Sequence, residues 1–448
     1  MSVSQCLPSR TTLLTGLAAH SHGVATHSHQ EQEIRRPAAI SDRLTVPSLL
    51  REAGYRTVLV GKWHLPSDPW RVGFSETRVW LPAGARAYED PSLASGETRK
   101  EKVLRGYTQE IFADSAIGFL ESNAAEHRPF FLWLAFTAPH APYEPNPERI
   151  EALYRDVPAA ELPPAGVSTG ISAQRWRRYY AAISHLDEQV GRVRAALERG
   201  GLAGSTVLVF LGDNGFMMGE KGIGGFGASG KVVPYESSIR VPMVVRAPEI
   251  QAFSGPSQLL VSALDLPPTI AGLAGIEAPP SWPGRNLLPA LRNREAPGFE
   301  DAFSEWADDR NESYGHLAHR LVRTRDHKLI VWQDPARPNE LYELARDPRE
   351  EENLSDRPEV AEVEADLMRR LRAWLERTAD PARGWPKLAG IGHEAEDTRL
   401  ERRVAVKLIH PEVASKPGSI ERFRREARAL ASLDPAQVER ILGEAMRK

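Results

Sequence analysis

Thr206-Val-Leu-Val-Phe-Leu211, followed by Gly212-Asp213-Asn214-Gly215, is the stretch that decides the fold class. A continuous apolar run with no polar alternation reads as a strand covered on both faces. The glycine-flanked Asp-Asn pair ends it abruptly. Upstream, Ser172 to Arg199 reads as a long helix. Its apolar residues Trp176, Tyr179, Ile183, Leu186, Val190, Val193 and Leu197 recur at intervals of three or four, and Gly200-Gly201 ends it. The same helix-then-strand order occurs earlier. Thr45 to Ala53 carries an N-cap threonine, Pro47 in the first turn and Gly54 beyond the end. The β-rich Thr57 to Val60 comes next, closing in Gly61-Lys62-Trp63-His64. Phe130 to Phe136 fits another buried strand. Alternating helices and buried strands predict an α/β sheet with helices on both faces. In such sheets function gathers past the C-terminal ends of strands. Lys62, His64, His140, Asp213 and Asn214 all fall at such places.

Composition narrows the class. The chain has 448 residues, 41% hydrophobic and 26% charged, enough for two to three globular domains. Its charge balance, 57 − 60 = −3, lacks the basic excess of a nucleic-acid binder. One cysteine excludes an intramolecular disulfide and a multi-cysteine zinc site. No apolar run is long enough to span a membrane. Met1 to Gln5 is too short for a signal peptide, and Arg10 interrupts the next stretch. The expectation is a cytoplasmic chain as written, with secretion or periplasmic export requiring an upstream leader.

Further along, Met218 to Gly230 is glycine-rich and reads as a mobile loop. Pro279 to Pro289 reads as a boundary. Leu321 to Trp332 and Leu341 to Tyr342 suggest a smaller α+β unit, and Val360 to Arg377 an amphipathic helix. Asp380 to Pro386 reads as a linker. His20, His22, His27 and His29 fall on an expected loop. Trp63 and Trp70 read as packing residues.

Cys6-Leu7-Pro8-Ser9-Arg10, followed by Thr11-Thr12-Leu13-Leu14-Thr15-Gly16, is the sharpest chemical signal. Pro8 fits the first turn of a helix. Cys6 then sits at the helix N-terminus, a favourable place for an anion, with Arg10 within reach. The Cys-x-Pro-Ser-Arg run with its Leu-Thr-Gly resembles the sulfatase signature. Gly54-Tyr55-x-Thr57 through Gly61-Lys62-Trp63-His64 is similar to the second signature of that family. Pro139-His140-x-Pro142-Tyr143, Gly212-Asp213-Asn214-Gly215, and Lys231 with Tyr235-Glu236-Ser237-x-Ile239-Arg240 resemble it too, in the family's order. So does Leu341-Tyr342-Glu343-Leu344 with Asp347-Pro348 and Glu352-Asn353-Leu354.

The resemblance implies an alkaline-phosphatase-like α/β fold with a small C-terminal α+β subdomain. The implied limits are 1–285 for the catalytic domain, 286–385 for the subdomain and 386–448 for a mostly helical tail. It implies that a maturation enzyme oxidises Cys6 to formylglycine. Hydrated, that aldehyde offers one hydroxyl to attack sulfur and a second to expel sulfate. Arg10, Lys62 and Lys231 are the implied cationic clamp. His140 is the implied acid for the leaving alcohol, and His64 the implied assistant in sulfate release. Asp213 and Asn214, with the modified Cys6, are the implied ligands of Ca²⁺. The implied partner is a sulfate-ester small molecule or sugar. Two alternatives stand beside it: a phosphonate or phosphodiester hydrolase of the same superfamily, and a non-catalytic remnant.

Two departures from the family pattern matter. The family carries an adjacent aspartate pair on a first strand before the cysteine motif, and residues 1–5 hold no Asp or Glu. The expectation is a sheet lacking its first strand, with its neighbours exposed as edges, and impaired metal binding and turnover. The tail also departs. Arg403 to Ile409 and Glu421 to Leu433 resemble a serine/threonine kinase fragment, with Lys407 and Glu426 matching its ion pair, but without its Gly-rich or catalytic loops.

Overall fold

The computed structural model describes residues 1–24, 38–84, 87–163, 170–224, 230–248, 250, 254–296, 298–306 and 317–388, plus two strands at 392–397 and 402–407. The main sheet holds β1 (Arg56–Lys62), β2 (Glu76–Leu81), β3 (Ser92–Ser95), β4 (Lys102–Val103) and β5 (Phe130–Ala135), in the order β4-β3-β2-β1-β5. β1 pairs in parallel with β2 and β5, and the two outer pairings are antiparallel. Helix Val46–Glu52 leads into β1. Its capping box is made by Thr45 and Ser48.

β1 is buried on both faces, as its apolar sequence requires. Val58 and Val60 face helices Thr108–Glu126 and Ala173–Arg199, among Phe112, Phe119 and Val193. Leu59 faces the opposite side, where α1 (Cys6–Thr15) contributes Leu7 and Leu14, with Trp63, Phe74 and Trp80 nearby. Trp63 and Trp70 pack as expected, edge-on to Phe74 and Trp80. Gly61 is required between β1 and β5. Its φ is +95°, and a Cβ there would lie 2.2 Å from the Ala135 carbonyl oxygen.

The sheet is then interrupted. β6 (Leu208–Leu211) pairs with β7 (Met243–Arg246), antiparallel, in a separate two-stranded sheet. Among the described residues the second edges of β5 and β6 have no strand partner. The expectation of full burial is not met. All of β5 is half-buried and Val209 of β6 is 37% exposed, because each strand is covered along one edge alone. A cavity of about 1130 Å³ lies between them.

The C-terminal unit is an antiparallel sheet of β8 (Ala302–Trp306), β9 (His319–Arg323), β10 (His327–Trp332) and β11 (Glu340–Glu343) in the order β11-β10-β9-β8. Helix Ala361–Arg377 lays Leu367, Leu371 and Leu375 on Val322, Leu329 and Leu341. Phe303 and Trp374 stack at 4.5 Å. The linker expectation for Asp380 to Pro386 is wrong. Asp380 is fully buried, accepts from Ala382 N, and binds Arg320. Buried pairing of its carboxylate holds this stretch against the sheet. His20 and His22 lie on a short helix, α2 (Ala19–His22), not on a loop. His27 and His29 lie outside the described residues. In the tail, β12 (Gly392–Asp397) and β13 (Arg402–Lys407) pair antiparallel, a hairpin whose first strand the sequence did not suggest. Lys407 ends β13, and Glu426 lies outside the described residues.

Candidate active site

α1 starts at Cys6, with an extended Gln5 as N-cap, and closes on Gly16 at φ +68°. Pro8 costs nothing in the first turn, where N–H groups have no helical partner. Cys6 is 1% exposed, and Lys231 Nζ lies 3.1 Å from its Sγ. Burial of Lys231 works against its charge, but the fields of Cys6 and Asp213 outweigh burial and raise its pKa.

Arg10 sits one turn further along α1. Its Nε donates to the Trp63 carbonyl at 3.0 Å and one terminal nitrogen to Asp213 Oδ2 at 3.2 Å. The other terminal nitrogen donates to the Lys62 carbonyl. Trp133 of β5 lies under the guanidinium, 5.7 Å away. Ser9 donates its hydroxyl proton to the Asp213 carbonyl. α1 is thereby fastened to the ends of both β1 and β6. Lys62, the last residue of β1, places Nζ 3.8 Å from Asp213 Oδ2.

His64 comes two residues later with φ +56°, buried. A Cβ built on Gly84 would stand 3.3 Å from its ring. His140 stands beyond β5. Its Nδ1 is 2.8 Å from the Ala141 carbonyl, so Nδ1 carries the proton and Nε2 is the nitrogen left for chemistry. Tyr88 donates to the His140 carbonyl at 2.7 Å. Burial lowers the His140 pKa. Lys231 and Lys62 lower it further, and Cys6 opposes them incompletely.

Asn214 donates Nδ2–H to the Gly215 carbonyl at 2.6 Å, while its Oδ1 is buried with no hydrogen-bond partner. An orphaned amide oxygen beside a carboxylate suits a hard cation. Asp213 and Asn214 supply two oxygens, against the six to eight such an ion takes.

One cavity brings together Arg10, Lys62, His140, Asp213, Asn214 and Lys231. Cys6 joins them through Lys231, and His64 is not among its lining. Sequence reading missed Trp133 and Ser9. Both sit in runs it had assigned correctly, and strand alternation would have put Trp133 on the α1 face. It also missed a second cluster. His20 Nδ1 lies 2.8 Å from Glu305 Oε2 and 3.2 Å from Asp380 Oδ2, with Arg320 on both carboxylates. No local pattern marks it, because β8, β9 and the stretch after helix Ala361–Arg377 assemble it with α2.

A family model described as Sulfatase matches residues 1–276, and one described as N-sulphoglucosamine sulphohydrolase, C-terminal, matches 224–377. N-acetylglucosamine-6-O-sulfatase of Bacteroides thetaiotaomicron is 26% identical over 453 residues, covering 81% of this chain and 76% of that protein. Choline-sulfatase of Rhizobium meliloti is 28% identical over 404 residues, covering 79% and 71%. A structure solved in complex with its substrate, D-glucosamine-2-N,6-O-disulfate, superposes with TM-score 0.67 at 24% identity, covering 85% of this chain and 90% of that one. A phosphonate monoester hydrolase from Silicibacter pomeroyi shares the fold, with TM-score 0.60 at 20% identity, over 86% and 88%. Sulfatases are sulfuric ester hydrolases of alkaline-phosphatase-like fold that generally use a formylglycine and a divalent metal. With signature residues converging on one cavity and a family match over residues 1–276, this chain belongs to the sulfatase family.

Proposed function

We propose that this chain hydrolyses the sulfate ester of a sugar to an alcohol and inorganic sulfate, using a formylglycine derived from Cys6. The observation that carries the reading is the Cys6–Lys231 pair, a buried nucleophile position in contact with a buried ammonium. The aldehyde is installed by a separate maturation enzyme. Sugar sulfates are favoured because relatives named for them cover most of the chain.

In this reading Arg10, Lys62 and Lys231 hold the non-bridging oxygens, where the charge stays throughout. A hydroxyl of the hydrated Cys6 side chain releases its proton to solvent and its oxygen forms a bond to sulfur as the ester S–O bond breaks. His140, with Nδ1 committed to Ala141, gives its Nε2 proton to the leaving oxygen. His64 takes the proton of the second hydroxyl as the carbonyl reforms and sulfate departs. Asp213 and Asn214 Oδ1 are the oxygens that would hold Ca²⁺, whose charge would polarise the sulfate oxygens.

The test is mass spectrometry of the Cys6 peptide after co-expression with a maturation enzyme, then parallel assays on sulfate, phosphate and phosphonate esters. Aldehyde at Cys6 with a preference for sulfate supports the proposal. A thiol throughout would favour the non-catalytic reading. A preference for phosphonate would favour the second activity.

A further inference from the structure

We propose that Lys221 is a positioning residue for Lys231. Its ammonium, lodged against two tyrosine rings, holds the loop from Gly215 to Gly224 on the C-terminal sheet, and that loop fixes the backbone from which Lys231 reaches Cys6. Lys221 itself lies outside the lining of the catalytic cavity. Its effect on turnover rests on the hydrolase reading, whereas its effect on the placement of Lys231 does not.

The backbone points to the side chain. Lys221 has φ +54°, a left-handed conformation that is unfavourable for a residue with a Cβ and free for glycine. A lysine therefore stands where the backbone alone favours glycine, and the contacts of its ammonium account for it. Nζ lies 4.7 Å from the centre of the Tyr235 ring and 5.4 Å from that of Tyr342, and it donates to the Glu350 carbonyl. A cation over aromatic faces is attracted by both rings. The rings are themselves held. Glu340 accepts from the Tyr235 hydroxyl at 3.1 Å, the Tyr342 hydroxyl at 2.7 Å and Trp332 Nε1 at 3.0 Å. Tyr342 belongs to β11, so one ammonium joins the loop that follows β6 to the C-terminal sheet.

The loop is braced well enough to pass this on. Met218 and Gly224 pair across it, and Gly219 N donates to the Ile223 carbonyl at 2.8 Å. The Glu220 carboxylate accepts from Met218 N and from Ser237 Oγ. At its base Met217 N donates to the Gly230 carbonyl at 2.8 Å. That carbonyl belongs to the peptide unit whose nitrogen is that of Lys231. On the far side of Lys231, Val232 N donates to the Ser4 carbonyl at 3.2 Å, two residues before Cys6. Lys231 thus hangs between two backbone bonds, one made by the loop and one by the segment that leads into α1. A displaced loop tilts the first of them and carries the ammonium off its 3.1 Å contact with Cys6 Sγ.

The experiment compares the full chain with Lys221→Met, Lys221→Arg and Lys221→Gly. Kinetics on an aryl sulfate, at matched conversion of Cys6, gives kcat and KM. The Met and Gly variants should each lower kcat by about tenfold to a hundredfold with KM little changed, as displacement of a charge stabiliser does. The Arg variant keeps a cation for the two rings and should restore kcat. The Gly variant should lose activity without a matching loss in its urea midpoint, because glycine suits that backbone. Amide exchange, read without turnover, should quicken by about tenfold or more at Met217 and Val232 in the Met and Gly variants. Unchanged exchange, kcat retained in the Met and Gly variants, or an Arg variant that behaves like Met would overturn the proposal. Quickened exchange in a chain that hydrolyses no ester in any form would support the placing role of Lys221 and overturn the hydrolase reading alone.

Discussion

Lys231 Nζ meets Cys6 Sγ at 3.1 Å across 225 positions of sequence. The ammonium is buried, and its charge is sustained by the two groups it serves, Cys6 and Asp213. Removing it takes away the ammonium in contact with the sulfur position.

Lys231→Ala is therefore expected to cut kcat by about 10²–10³, the usual effect of deleting one preorganised charge stabiliser. Steady-state kinetics on an aryl sulfate, at matched conversion of Cys6, checks this. A change confined to KM would contradict it.

The same variant should move a pH profile. In the proposed mechanism His140 acts as an acid while protonated, and its pKa is held down by burial first and by Lys231 next. Activity on a poor leaving group should fall as pH rises through that lowered value. With Lys231 removed, the His140 pKa rises and the falling limb shifts to higher pH. A limb that stays in place would show that another group carries the proton.

His20 predicts a stability profile. Its Nδ1 faces Glu305 and Asp380, and its Nε2 lies 3.2 Å from the Thr378 carbonyl, so both ring nitrogens are best satisfied as donors. Burial opposes the charge, but Glu305 and Asp380 outweigh burial and Arg320, and the pKa is raised above 6.5. Its stabilisation is thus complete below pH 6.5 and lost as pH rises through the folded-state value. Glu305 behaves in the opposite sense. Burial opposes its charge, but His20 and Arg320 hold its pKa at about 2, so its share is present above 4.5 and lost toward 2. His20→Gln should flatten the alkaline fall in unfolding free energy and cost about 3–5 kcal/mol at pH 6, the effect of breaking a buried ion pair. Urea titrations across pH measure both.

Gly61→Ala should be costly for its size. The new methyl meets the Ala135 carbonyl at 2.2 Å, and φ is +95°. A loss of about 1–3 kcal/mol or more is expected from the backbone conformation alone. The urea midpoint reads it, and a neutral result would mean that β1 and β5 separate freely.

Much of this was legible in the chain. Helix Ala173–Arg199, the capped Val46–Glu52 helix and the strand ends bearing Lys62 and Asp213 arise from periodicity and cap residues. The half-burial of Phe130 to Ala135 was not legible, because apolar sequence reports what a strand could bury, not whether a neighbour is there. The stretch from Asp380 to Pro386 misled for a related reason. Its polar, proline-bearing composition resembles a linker until Arg320 is seen on Asp380. The site was readable through its motifs, and the Trp133 contact under Arg10 was not, since it joins segments that share no local pattern.

The first five residues run beside the C-terminal sheet. Glu305 N donates to the Ser2 carbonyl, Val232 N to that of Ser4, and Glu305 Oε1 accepts from Ala19 N. The segment that carries α1 is consequently moored on either side of the helix by a carboxyl-terminal strand. Amputating β8 to β11 would take away these anchors and set Cys6 adrift, so a sheet remote in sequence is the jig that aligns the start of α1.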